Sequence, residues 1–89
     1  MIFSWNMTIY DDALWDEAWA YVYVYLSHQN KPISDWLKTQ AESEYTYIGD
    51  NVRILEIGIR RGRLNMDQLI TKITKMRGAK RYLKYYGKD

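Results

Sequence analysis

The stretch Gly49-Asp50-Asn51-Val52-Arg53-Ile54-Leu55-Glu56-Ile57-Gly58-Ile59-Arg60-Arg61-Gly62-Arg63 decides the fold, because it reads two ways. As a helix, Arg53, Glu56, Arg60 and Arg63 recur at i, i+3, i+7 and i+10, a clean polar stripe, while Val52, Leu55 and Ile59 face the other way. Glu56 and Arg60 are then an i,i+4 ion pair. Gly62 suits the left-handed position after a helix end. As a β-hairpin across residues 45–57, the same stretch draws on the strand preference of Ile54, Ile57 and Ile59. Its alternation is poor, since Glu56 and Gly58 share a face with Val52 and Ile54. The reading taken is helix, and the hairpin is the alternative.

Toward the N-terminus, Gly49-Asp50-Asn51 reads as a turn, with Asp50 able to cap the helix after it. Glu44-Tyr45-Thr46-Tyr47-Ile48 is rich in strand-favouring types. Its expected mate is the N-terminus, where Phe3, Trp5, Met7 and Ile9 alternate with Ser4, Asn6, Thr8 and Tyr10. Between these lie two helices. Asp11 or Asp12 can cap the first, on which Leu14, Trp15, Ala18, Trp19, Tyr21, Val22, Tyr25 and Leu26 fall on one arc of about 160°. Asp16, Glu17, Ala20, Tyr23, Val24 and Ser27 lie opposite. Asn30-Lys31-Pro32 stops it, and Pro32 or Ser34 starts the second, with Ile33, Trp36, Leu37 and Ala41 at helical spacing.

Toward the C-terminus, Asn65-Met66-Asp67-Gln68 is a capping box in its Asn form. The helix it opens buries Met66, Leu69, Ile70, Ile73 and Met76. Past Met76 the same face reads Arg77, Lys80, Arg81 and Lys84, and charge does not enter a core unpaired. Either the helix breaks at Gly78 or it runs on beyond the body of the protein. The expected fold is therefore mainly α: a compact bundle of about four helices with a small two-stranded β element from the N-terminus and residues 44–48. The alternative is α+β with the 45–57 hairpin. The expected core comprises Trp15, Trp19, Trp36, Leu37, Leu55, Ile59, Leu69 and Ile73.

Eighty-nine residues make one domain, residues 1–89, with a basic tail from about residue 78. An apolar fraction of 47% suits a globular chain rather than a disordered one. The absence of Cys excludes disulfides and thiolate metal sites. No secretory signal is legible in residues 1–10, and the longest apolar run, Ala18 to Leu26, falls short of the ~20 residues that span a bilayer. A cytoplasmic protein without membrane contact is expected, in a host cytoplasm if the source is viral.

The net charge of +2 hides a polar layout. Residues 1–50 carry eight acidic side chains against two basic ones, and residues 51–89 carry eleven basic against three acidic. Either the halves neutralise each other on packing, or the basic end serves an acidic partner.

Catalytic chemistry finds little footing. His28 is the only histidine and lies near a helix C-terminus, where a cation is favoured. Asp12 and Asp16 share a face, but the first turns of a helix favour acids without any catalytic role. Gly58 and Gly62 lack the Lys-Ser/Thr of a phosphate loop. No enzyme activity, metal or cofactor is expected.

The positive signal is the C-terminal constellation. Arg60, Arg61 and Arg63 flank the joint before the last helix, where amides and guanidiniums could meet phosphate. Gln68, Lys72, Lys75, Tyr82 and Tyr86 form one outward stripe if helix continues through Gly78. Arg77, Lys80, Arg81, Lys84, Tyr85 and Lys88 lie around its end. Cations of this kind neutralise phosphates, and exposed Tyr rings among them stack on bases. The expected function is non-enzymatic binding of nucleic acid or of an acidic, nucleic-acid-like protein surface. The alternative is a protein-binding inhibitor or adaptor of the phage accessory, anti-host-defence type, working through an aromatic surface. Bare aromatics in the first half favour a protein partner, and a continuous basic face favours nucleic acid. Oligomeric state is not legible.

Overall fold

The computed structural model describes residues 17–76. Four helices occupy them: α1, described over residues 17–28, α2 (Asp35–Glu42), α3 (Tyr47–Arg60) and α4 (Met66–Lys75). Among the described residues there is no strand. The N-terminal half of the expected β element, the acids Asp11, Asp12 and Asp16, and core candidate Trp15 lie outside the described residues.

α1 is buried on two opposite sides, not on one arc. Ala18, Val22 and Leu26 have no exposed surface, and neither do Ala20 and Val24. At about 100° per residue these sets form two aliphatic seams on opposite sides of the axis. Between them run two aromatic seams, Trp19/Tyr23 and Tyr21/Tyr25, all only partly buried. Strict alternation of aliphatic and aromatic residues, which resembles a strand locally, thus distributes both types around a helix. A helix apolar all round belongs in the middle of a core, so the expectation of a single buried face fails for Ala20 and Val24. Each fully buried Val or Leu contributes roughly 1.5–3 kcal/mol relative to exposure.

α1 ends at Asn30, which adopts φ 56°. The Lys31 amide donates back to the Leu26 carbonyl at 3.0 Å and the Asn30 amide to Ser27 at 3.3 Å, the paired bonds of a left-handed helix stop. Ser34 then caps α2, its Oγ accepting from the Leu37 amide at 3.2 Å. Leu37 and Ala41, one turn apart, are the buried residues of α2. Trp36 is not core: it is 49% exposed and sets its ring at 72° to that of Trp19, with centroids 5.2 Å apart.

Residues 44–48 are not a strand, and the hairpin across 45–57 does not form. Thr46 caps α3, its Oγ1 accepting from the Gly49 amide at 2.9 Å and donating to the Gln40 carbonyl at 2.7 Å. One hydroxyl therefore starts α3 and ties it to the end of α2, which outweighs the strand preference of its neighbours. Gly49 is buried inside α3, not in a turn, and Asp50 stands in its first turn rather than at the cap. Ile48, Val52 and Leu55 are buried along one face, with Ile59 partly buried beyond them.

Gly62, at φ 75°, closes α3 as expected. The Arg63 amide donates to the Gly58 carbonyl at 2.8 Å and the Gly62 amide to Ile59 at 3.1 Å. The capping box of α4 forms in both directions: the Gln68 amide donates to Asn65 Oδ1 at 2.8 Å, and the Asn65 amide to Gln68 Oε1 at 2.9 Å. Leu69 and Ile73 are wholly buried, with Met66, Ile70 and Met76 packed against the core. Met76 turns extended at ψ 137°. α4 therefore stops at Lys75, and the remainder of the expected stripe, Tyr82 and Tyr86, lies outside the described residues.

Candidate nucleic-acid interface

The left-handed stop at Gly62 and the capping box at Asn65 fix both ends of the joint between α3 and α4. Arg60 is the last residue of α3, Arg61 its C-cap, and Arg63 follows Gly62; all three are exposed. With one end pinned by backbone hydrogen bonds and the other by the side chains of the capping box, this joint presents three guanidiniums on a main chain already ordered.

Arg60 is not paired with Glu56. The Glu56 carboxylate instead meets His28 at the end of α1, Nε2 to Oε1 2.9 Å. An i,i+4 spacing makes that Arg60 pairing available, but a partner 28 residues away takes the carboxylate. Arg53, the first residue of the polar stripe, is held by Asp50 and by the Ser43 carbonyl, the latter at 3.2 Å. Among the described residues, Arg60, Arg61, Arg63, Lys72 and Lys75 join no ion pair. Nor do the acids of α2 and its flank, Asp35, Glu42 and Glu44, pair with any lysine or arginine there. Among these residues, Asp50 with Arg53 is the one carboxylate–guanidinium pair between the acidic and basic halves, and it leaves the rest of the charge layout unpaired.

The five cations fall in two groups. Lys72 and Lys75 are exposed on α4, on an outward stripe with Gln68. They border a shallow open hollow with Asp67, Gln68 and Thr71. Along the helix they stand about 9–14 Å from the arginine joint. Asp67 lies between, in the first turn of α4, and the Gln68 amide is already used by Asn65. The capping box thus occupies the Asn65 and Gln68 amides, and the Asp67 carboxylate opposes an anion at this helix start. Arg77, Lys80, Arg81, Tyr82, Lys84, Tyr85 and Tyr86 lie outside the described residues.

Sequence reasoning assigns no residue to a second exposed surface. Trp36 is half exposed, Tyr45 and Tyr47 more so, and Ile54 and Ile57 stand out on α3. The signal is present in the sequence. Val52, Leu55 and Ile59 already fill the inward face of α3, so Ile54 and Ile57 must lie outside it.

Among the described residues no group of three or more His, Cys, Asp or Glu could hold a metal ion. No helix there is long and apolar enough to cross a membrane. No protein-family model, curated protein or solved structure matches the chain.

Proposed function

We propose that the protein is a non-enzymatic binding protein that engages nucleic acid, or an acidic surface resembling it, through the α3–α4 joint, the outward side of α4 and the chain beyond. The observation that carries this reading is that the five exposed cations of the α3–α4 joint and α4 have no carboxylate partner among the described residues. Unpaired guanidiniums on a fixed joint favour phosphate, because nothing must be displaced before they bind it. Arg77, Lys80, Arg81 and Lys84 extend the same charge in sequence, and Tyr82, Tyr85 and Tyr86 supply rings for stacking. The test is binding to single- and double-stranded DNA and RNA across salt concentrations. Replacing Arg60, Arg61 and Arg63 by Ala is expected to weaken binding to every sequence alike. On duplex DNA it should flatten the dependence on log[salt] by up to ~0.9 per lost contact. Wild-type protein without salt-sensitive binding overturns the reading.

The second reading, a protein-binding inhibitor or adaptor of the phage accessory type, rests on the exposed Trp36, Tyr45 and Tyr47. Aromatic residues are enriched at protein interfaces. A partner protein captured by the wild type and lost on replacing Trp36 and Tyr47 by Ala, with the arginines intact, favours it.

A further inference from the structure

The exposed face of α3 carries a pattern that is complementary to itself. Tyr47, Ile54 and Arg61 recur at seven-residue intervals, so they lie within about 40° of one another around the helix. Ile57 lies one turn from Ile54 on the adjoining row. Tyr47 is 70%, Ile54 66% and Ile57 44% exposed, so none of the described residues covers them. The charge along the same helix runs from acidic to basic: Glu44 precedes it, Asp50 in the first turn is paired with Arg53, and Arg60, Arg61 and Arg63 end it.

We infer that this face docks a second copy of the chain, α3 against α3 in antiparallel orientation, with Ile54 on the two-fold axis. In that register Ile54 meets Ile54 of the other copy, Ile57 meets Asn51, and Tyr47 meets Arg61, a ring opposite a guanidinium. Glu44 comes beside the basic end of the other copy. Parallel pairing sets Arg61 against Arg61 and Glu44 against Glu44 and aligns the two helix dipoles, so charge selects the antiparallel form. The contact spans only about 20 Å of helix. It belongs to the small, transient class of interfaces and is populated at high protein concentration.

The chain has no cysteine, so one introduced thiol reports on one position. The test uses the full 89-residue chain. Sedimentation equilibrium over rising concentration is expected to move the mass from 10.7 kDa toward twice that value. Ile54→Asp should raise the dimer dissociation constant by about tenfold or more, as expected for loss of a buried aliphatic contact of over ~1.4 kcal/mol. Under mild oxidation Ile54→Cys should form a disulfide-linked dimer faster than Thr74→Cys, whose position is exposed on α4. Ile54 and Thr74 are both exposed, so neither thiol disturbs the core, and unchanged melting of the reduced variants checks this. A wild-type chain that keeps the monomer mass throughout overturns the inference. So does cross-linking through Ile54→Cys no faster than through Thr74→Cys, whatever the mass. The dimer engages Arg61, a cation of the proposed interface, so Ile54→Asp, which leaves every cation in place, should lose the dimer while retaining or strengthening nucleic-acid binding, and the two are separately readable.

Discussion

His28 Nε2 lies 2.9 Å from Glu56 Oε1, joining the last turn of α1 to the middle of α3. Both side chains are about one-third exposed, so the contact is a surface clasp rather than a buried pair. Such contacts contribute roughly 0.2–1 kcal/mol and weaken with salt. A double-mutant cycle with His28→Ala and Glu56→Ala is expected to return a coupling in that range. The cycle between Glu56 and Arg60 should return none. The opposite result would place the carboxylate on Arg60 and remove one cation from the candidate interface.

Gly49 and Gly58 are both helical glycines of α3, and opposite outcomes are expected on adding a methyl group. A Cβ at Gly49 would clash with the Ser43 backbone carbonyl oxygen, which no side-chain movement relieves. Gly49→Ala should destabilise by about 1–3 kcal/mol or more, because the α2–α3 joint must shift. At Gly58 the nearest atom is Leu64 Cβ at 3.6 Å, an ordinary contact. Gly58→Ala should stabilise by about 0.5–1 kcal/mol through backbone entropy. Chemical denaturation of the two variants reads both signs.

Those two glycines also show which parts of the fold local sequence rules reach. Gly62 and the Asn65–Gln68 box are decided within a few residues, and both form as spacing predicts. Gly49 reads as a turn in sequence because its reason for being glycine, the Ser43 carbonyl, is a tertiary contact across the α2–α3 joint. Thr46 sits among strand-favouring residues, yet its hydroxyl reaches Gln40 and starts a helix. Helical spacing assigns Trp36 to the core, although its ring rests on Trp19 at the surface. At the candidate site, the exposure of Arg60, Arg61 and Arg63 is legible from the polar stripe and the joint beside it. The release of Arg60 is not, because His28 is distant in sequence.

Asn30 holds a left-handed conformation at the end of α1, at φ 56°. Asn tolerates this region better than other non-glycine residues, and a β-branched side chain does not. Asn30→Gly is expected to be neutral or stabilising by a few tenths of a kcal/mol, and Asn30→Val destabilising by about 1–2 kcal/mol. Thermal melting of the pair checks it. Equal melting temperatures for Gly and Val would mean that the backbone at residue 30 is not left-handed in solution.

Tyr21 and Tyr23 make alkaline stability a readout of how α1 is enclosed. Partial burial pushes both phenols above the ordinary value of 10.0, the first cause in each case. Glu17 adds to the effect at Tyr21, and Glu42 and Glu56 add to it at Tyr23. A raised folded pKa means that the native state keeps its phenol protons where the unfolded chain has lost them. Across the window between the two values the native chain binds more protons than the unfolded one, so stability rises with pH only where the unfolded chain holds the excess, and here it does not. The contribution is fully present below pH 10.0, the unfolded value, and is lost as pH climbs through the folded one. Phe cannot ionise, so Tyr21→Phe and Tyr23→Phe should each flatten the decline in unfolding free energy as pH rises past 10.0. Every other side chain is common to the variants compared, so the difference reports the phenols. Glu42→Gln should reduce the slope when Tyr23 is present and leave it unchanged once Tyr23 is replaced by Phe. Identical slopes in wild type and both Phe variants would mean that these phenols are as open to water in the native chain as in the unfolded one, and α1 would not be enclosed by its neighbours.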